Sequence, residues 1–315
     1  MRFTHTRKDL SVGAALFMAG ALVLTGCSSP AATAPTESSS PVPTNTVNKD
    51  LQAKLPQEIR DKGTLTIASP YGVAPSIYLD ANGQPTGIAY DVAAGLGDVL
   101  GVEVQWQELA FSGVVSGLQA GNFDISMGVI GDTPARQELL DFVDLMDNSS
   151  TLLTQKGNPN KITDLETACG KTIGVNAGSL QIPRVKKFSD ACVAGGKDPI
   201  TINEYPGTPD AQAQVQSNRI AAYFAPYLLL NHTARTAGNG QIFELGTGRY
   251  PDNPWAIGMQ KNRGEMAEAI QGALKAMVDN GTYKAILDKY NSADAALDPE
   301  QILVNGAGTP AFPTE

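Results

Sequence analysis

Thr64-Leu65-Thr66-Ile67-Ala68, then Gly87-Ile88-Ala89-Tyr90-Asp91-Val92-Ala93-Ala94-Gly95-Leu96-Gly97-Asp98-Val99-Leu100, then Val102-Glu103-Val104-Gln105-Trp106: over this span the chain changes its hydrophobic period twice. The first segment reads as a strand and the second as a helix. The third alternates strictly, as a half-buried strand does. Working outward, Phe111 to Ala120 is helical, with Phe111, Val114, Val115 and Leu118 on one face. Phe123 to Val129 reads as a strand, Pro134 opens a short helix at a position proline tolerates, and Thr151 to Gln155 is a further strand. A second series follows: strand Lys171 to Val175, helix Leu180 to Phe188, strand Ile200 to Tyr205, helix Pro209 to Asn218, strand Ile220 to Phe224. The C-terminal part offers the strand Trp255 to Met259 and two amphipathic helices, one carrying Met266, Ile270, Leu274 and Met277 on a face, the other Tyr283, Ile286, Leu287 and Tyr290. Strands alternating with helices predict an α/β protein.

The ends read differently. Arg2, Arg7 and Lys8 precede an apolar run from Val12 to Leu24, the build of a secretory signal peptide. The run is shorter than the roughly 20 apolar residues a membrane span needs. It closes on Leu24-Thr25-Gly26-Cys27, which resembles the lipobox of bacterial lipoproteins and implies cleavage before Cys27 and lipid on its sulfur. Residues 27–50 are rich in Ser, Pro, Thr and Ala and read as a flexible tether. The expected location is the outer face of the cytoplasmic membrane.

The chain has 315 residues, a formal charge of -9, 42% hydrophobic and 17% charged residues. That composition supports a sizeable core, and the acidic balance argues against nucleic acid as a partner. With Cys27 lipidated, Cys169 and Cys192 remain as an even pair in an oxidising compartment. They read as a disulfide, with two separate buried thiols as the alternative. His5 leaves with the signal peptide, so His232 stands alone, an exposed helix residue rather than a metal ligand. Gly95, Gly97 and Gly101 are spaced one residue too widely for a dinucleotide fingerprint and lie inside a helix. No nucleophile elbow or P-loop is present. Asp141 and Asp144, flanking Phe142 and Val143, read as a solvated face. No catalytic group, metal or cofactor is expected.

Several segments resemble the extracellular solute-binding proteins of family 3, the amino-acid receptors of ABC importers. Gly63-Thr64-Leu65-Thr66-Ile67 is similar to the opening strand, and Gly83-Gln84-Pro85-Thr86-Gly87-Ile88-Ala89-Tyr90-Asp91-Val92-Ala93 to the turn and helix entry. Leu118-Gln119-Ala120-Gly121-Asn122-Phe123-Asp124 and Thr133-Pro134-Ala135-Arg136 resemble the segments before and at the pocket. Ala168-Cys169-Gly170-Lys171-Thr172-Ile173-Gly174-Val175 with Gly178-Ser179 resembles the second-lobe entry, and Asp279-Asn280-Gly281-Thr282-Tyr283-Lys284-Ala285-Ile286-Leu287 the closing helix. Cysteines at this spacing in the second lobe resemble an actinobacterial lipoprotein branch.

The resemblance implies a two-lobe periplasmic-binding-protein-like fold of type II, its lobes joined by two hinge strands. Lobe one is expected over 51–150 and 248–296, lobe two over 151–247, and a C-terminal tail over 297–315. It implies a monomer that closes by hinge motion over a small-molecule ligand, an amino acid or related carboxylate, and delivers it to an ABC permease. Arg136 is expected to hold the ligand carboxylate, since a guanidinium fork matches a carboxylate with two parallel bonds; a surface ion pair with Glu138 or Asp141 is its other reading. Ser179 precedes a helix whose free amides favour an anion, or simply caps it. Phe111 is a pocket wall or helix core; Tyr71, Tyr78 and Trp255 are further wall candidates.

The chain also departs from the family. Asn218-Arg219-Ile220-Ala221-Ala222-Tyr223-Phe224-Ala225-Pro226 puts Ala221 and Pro226 where the family has acidic residues, Pro226 at the ammonium-pairing position. Gly131 replaces a hydroxyl residue, and Asp132 stands beside it at an apolar position. Either Asp132 supplies the missing counter-charge for an amino acid, or the ligand lacks a free α-ammonium. An enzyme on the same fold, similar to cyclohexadienyl dehydratase, and a sensory module without a permease are the remaining alternatives.

Overall fold

The computed structural model describes residues 44–309, all within one compact unit, Val42–Glu315. Helices α1 (Lys49–Ala53) and α2 (Gln57–Lys62) lead into β1 (Thr64–Ser69), the hairpin β2 (Tyr78–Leu79) and β3 (Pro85–Thr86), α3 (Ile88–Leu100), β4 (Glu103–Glu108), α4 (Val114–Ala120), β5 (Ile125–Ser126), α5 (Pro134–Gln137) and β6 (Leu140–Met146). A second run holds β7 (Ser150–Gln155), β8 (Thr172–Asn176), α6 (Gln181–Ala194), β9 (Thr201–Tyr205), α7 (Thr208–Gln216), β10 (Ala222–Pro226), α8 (Tyr227–Thr236) and β11 (Phe243–Leu245). The chain ends on β12 (Trp255–Gln260), α9 (Gly264–Asp279) and α10 (Thr282–Lys289).

Apart from the β2–β3 hairpin, the strands sort into two sheets, ordered β4-β1-β5-β12-β6 and β11-β7-β10-β8-β9. These are the cores of two α/β lobes of the type II architecture. The chain passes between them twice, after Met146 and again after Leu245. In the first lobe β1 runs parallel to β4, Thr64 opposite Glu103, as a strand–helix–strand crossover requires. Helix α3 buries Ile88, Val92, Leu96 and Val99 against this sheet and stops at Gly101, whose φ of 65° is the left-handed turn that glycine takes most readily.

The structure differs from the sequence reading at both ends. Residues 44–50 are not tether: the Asn48 side chain caps α1, and Asn45 accepts hydrogen bonds from Asn280 and Thr282. Nor is the segment after Leu297 a free tail. Ile302 is fully buried, Val304 bridges Val143, Asp144 N donates to Leu303 O, and Asn305 N donates to Phe142 O. This segment covers the outer edge of β6, satisfying backbone groups an edge strand would leave open. Strand β6 is buried along its whole length, so Asp141 and Asp144 are interior residues; a strand covered on both faces shows no polar alternation. The strand expected over 123–129 is only β5, and α1, α2, α8 and β11 were not foreseen. Cys27 and the first 26 residues lie outside the described part. Among the described residues no helix is long and apolar enough to cross a membrane, and no cluster of three or more His, Cys, Asp or Glu could hold a metal.

Candidate functional site

In the first lobe the site is built on the turn Gly131–Thr133. Thr133 Oγ1 accepts a bond from Arg136 N at 3.2 Å, and Pro134 starts α5. This single turn folds Arg136 back over the loop. Its Nη1 donates to Gly131 O at 2.9 Å, and its guanidinium lies 5.6 Å from the centre of the Phe111 ring. Phe111, in a tight 3-10 turn, is 42% exposed, so it is not helix core. Asp141 pairs with Lys261 at 3.0 Å, and among the described residues no carboxylate pairs with Arg136. Burial holds the Arg136 guanidinium below its usual basicity, with the charge of Asp132 pulling the other way. A half-buried arginine with its outer fork unmatched can accept an anion.

Asp132 is placed differently from the expectation that it faces a ligand. It is fully buried, bonded by Gln137 Nε2 at 2.9 and 3.0 Å and by Ala307 N at 2.9 Å. Its neighbour is Asp144, whose oxygens find no well-formed hydrogen bond among the described residues and whose closest polar surroundings are Asp132 and the Gly306 backbone. Burial first, then the Asp132 charge, pushes Asp144 up to about 9; burial likewise raises Asp132. Burial and the neighbouring carboxylate both favour the protonated form of Asp144. Gly306 packs so tightly on Asp144 that no Cβ would fit. The pair is therefore an interior joint between the Gly131 turn, β6 and the C-terminal segment.

In the second lobe α6 begins with Leu180 at its N-cap and no side-chain cap. Ser179 N donates to Asn176 O at 3.1 Å, while the Ser179 Oγ is buried without a partner among the described residues. The hydroxyl does not cap the helix; Ile182 N already donates to Ser179 O at 3.3 Å and Pro183 has no N–H, which leaves the Ser179 hydroxyl and the positive end of the helix dipole for an anion. Beside it, Tyr223 Oη donates to Asn176 Oδ1 at 2.9 Å and sits 3.0 Å from Thr208 Oγ1, a polar cluster the sequence did not reveal.

The two halves meet along the returning crossover. Gly131 bridges Trp255, and Asp132 N donates to Pro254 O at 3.0 Å. Two residues earlier, the Asp252 carboxylate accepts a hydrogen bond from Ser150 Oγ, and Gln181 Nε2, in the first turn of α6, reaches the same Oγ at 3.2 Å. Arg184 lies 3.3 Å from Asp252 and over the Tyr250 ring. Burial raises Asp252 despite these polar contacts. Pro226, at the end of β10, pairs with Ser150 in the ladder. Sequence reading missed Asp252, although an acidic residue between Pro251 and Pro254 was a visible signal.

A second cluster laces the crossovers together. Arg249 donates to Asp147 and to Ser149, each at 2.7 Å, and stacks 3.5 Å from the Tyr227 ring centre. Tyr227 Oη donates to Asp294 at 2.6 Å. Of the other wall candidates, Trp255 is in the first-lobe core, Tyr71 packs against it, and Tyr78 faces His232 at 6.2 Å. His232 is half-buried rather than exposed, and burial lowers its basicity. Cys169 and Cys192 form a disulfide with Cα atoms 5.6 Å apart. Large surface grooves, one of about 690 Å³ along α3 and α10 and one of about 550 Å³ beside Lys54 and Arg263, share no residue with this site.

Comparison with known proteins agrees with this architecture. The chain is 27% identical over 257 residues to the arginine-binding protein ArgT of Corynebacterium glutamicum, covering 81% of this chain and 83% of that one. It is 26% identical to the L-cystine-binding protein TcyA of Bacillus subtilis, covering 76% and 85%. Among solved structures, an ancestral arginine-binding protein bound to arginine aligns with a TM-score of 0.59 at 27% identity, covering 72% of this chain and 98% of that one. The ancestral amino acid-binding protein AncCDT-1, a precursor of cyclohexadienyl dehydratase, aligns at 0.61 and 26%, covering 74% and 98%. The family of bacterial extracellular solute-binding proteins, family 3, matches residues 65–293. With that match running from β1 to just beyond α10, the chain belongs to the bacterial extracellular solute-binding proteins, family 3.

Proposed function

We propose that this chain is the lipid-anchored receptor of an ABC importer, binding an amino acid or related small carboxylate between its lobes. The observation that carries this reading is the half-buried Arg136 fork, unmatched by any carboxylate among the described residues. The uncapped start of α6 with its unpartnered Ser179 hydroxyl supports a second grip on the same anion. Gly131 positions Arg136 through its carbonyl, and Phe111 offers an apolar wall. The amino-acid-binding names of the relatives in Corynebacterium and Bacillus support the ligand class. Closure by hinge motion fits a chain that crosses between lobes twice, and ligand binding favours the closed form through its greater affinity for that form. Lipid on Cys27 would hold the receptor at the outer membrane face, where a permease takes up the solute.

The test is calorimetry and thermal shift of the purified full chain against L-amino acids, opines and small organic acids. Binding of a carboxylate ligand with a rise in melting temperature is expected. A chain that bound none of them, or that converted prephenate or arogenate to product, would overturn the reading. Conversion is not expected, because Ala221 and Pro226 stand where acidic groups would be needed.

A further inference from the structure

We infer that the C-terminal strap, residues 302–309, is a positioning element of the binding site: by clasping Asp132 and Gln137 it fixes the turn that aims the Arg136 guanidinium, acting through that turn rather than on the ligand. This role rests on the proposal that Arg136 takes the ligand carboxylate, and it belongs to residues beyond the stretch 65–293 that matches the family.

The turn cannot hold its shape alone. Helix α5 is a single turn of four residues, Pro134–Gln137, far short of the length at which a helix is stable by itself. Its inner backbone bonds are few: Arg136 N and Gln137 N both donate to Thr133 O at 2.9 Å. The fixed points lie outside it. On one side the returning crossover holds Gly131 through Trp255 and Asp132 N through Pro254 O. On the other side stands the strap. Ala307 N donates to Asp132 Oδ2 at 2.9 Å. The side chain of Gln137, next in sequence to Arg136, donates through Nε2 to both Asp132 oxygens at 2.9 and 3.0 Å and to Ala307 O at 3.3 Å. Gly308 lies against Pro134, where a β-carbon would meet the proline ring at 3.7 Å. Asp132, Gln137 and Ala307 thus close a ring of bonds that ties both ends of the turn to the strap.

The strap is itself anchored in the lobe core. Gln271 of α9 donates to Ile302 O at 2.8 Å, and Ile302 is buried. Asp144 N donates to Leu303 O, Asn305 N to Phe142 O, and Phe142 N to Asn305 Oδ1 at 2.9 Å, so the strap runs along β6 as a further edge. The path from core to cation is short: β6 fixes the strap, the strap fixes Asp132 and Gln137, and these fix the residues between them, Arg136 included. A guanidinium matches a carboxylate well only when its supports hold it within about 0.5 Å of the productive place. A turn released from the strap samples other positions, and affinity falls in proportion to the time spent away from the right one.

The test uses calorimetry on the full chain with its tightest binder among L-amino acids, opines and small organic acids, together with hydrogen-exchange mass spectrometry of the ligand-free protein. Two substitutions open the ring from opposite sides: Ala307→Pro deletes the strap N–H, and Gln137→Leu deletes the amide group of the turn. Each is expected to speed exchange in peptides covering 131–139. Each should also weaken affinity by about tenfold, the loss expected if the released turn keeps its binding geometry about a tenth of the time. In the Arg136→Ala background, followed into the millimolar range, the same substitutions should change affinity by less than about twofold, because the guanidinium they position is gone. Parental affinity or parental exchange in both variants, with Arg136→Ala weakened, would overturn this inference alone. So would an undiminished loss in the Arg136→Ala background, which would mean that the strap acts on something other than the guanidinium. Arg136→Ala at parental affinity would sink the carboxylate reading and this inference with it.

Discussion

The Gly131–Arg136 turn and the Tyr250–Trp255 crossover lie side by side, and each carries one aspartate, with opposite fates. Asp132 is closed off by Gln137, Ala307 and the carboxyl of Asp144. Asp252 remains at the edge of the second lobe, beside Ser150 and Arg184. The difference teaches that the role of a carboxylate is set by what covers it. The C-terminal segment seals Asp132 into a structural joint, whereas Asp252 is covered by Ser150 and Arg184 of the second lobe.

The comparison can be broken at several points. The largest effect should come from the cation that both regions serve: Arg136→Ala is expected to weaken ligand affinity by about 1,000-fold, from the upper part of the range for removing one partner of a buried charge pair. Calorimetry would show it, with melting temperature nearly unchanged. Cys192→Ser is expected to cost about 3 kcal/mol by freeing the unfolded chain, seen in denaturant melts. Because the disulfide touches neither aspartate, affinity should stay within about threefold of the parent, making this variant the control for instability alone. Asp132→Ala is expected to cost about 2 kcal/mol by stranding Gln137 and the Ala307 amide, read in the same melts; a large affinity loss at unchanged stability would move Asp132 into the cleft.

A further effect is one of pH. Asp144 rises from 3.8 to about 9 in the folded protein, so the native state keeps a proton that the unfolded chain gives up. Stability from this group is full below about pH 4, falls as pH rises, and levels off above about 9, with a slope of at most about 1.4 kcal/mol per unit. Melting curves across that range should show the decline, and Asp144→Asn should flatten it.

The alternating strands and helices were legible because each element carries its own period: β1, α3, β4 and β8 lie within a residue or two of where the pattern puts them. The Arg136 fork was legible because Thr133 and Pro134 form a local helix start that needs no distant partner. Strand β6 was not legible. Its polar residues, Asp141 and Asp144, imitate a solvated face, and distant groups (Asn305, Lys261 and the backbone of Arg263 and Gly306) make their burial tolerable. Asp252 was overlooked because it belongs to a connection with no period at all, and the Ser150–Pro226 pairing beside it joins residues far apart in the chain.

By itself, then, the sequence determined the α/β alternation through local periodicity and offered Cys169 and Cys192 as an even pair, while the two lobes and the cation at Arg136 were implied by its resemblance to family 3. Only the tertiary structure decided which aspartates are buried and what covers each of them. Desolvation and charge pairing act over a few ångströms in space, and whether 306 lies over 144, or 252 beside 150, is written in how the chain returns on itself rather than in any one stretch of it.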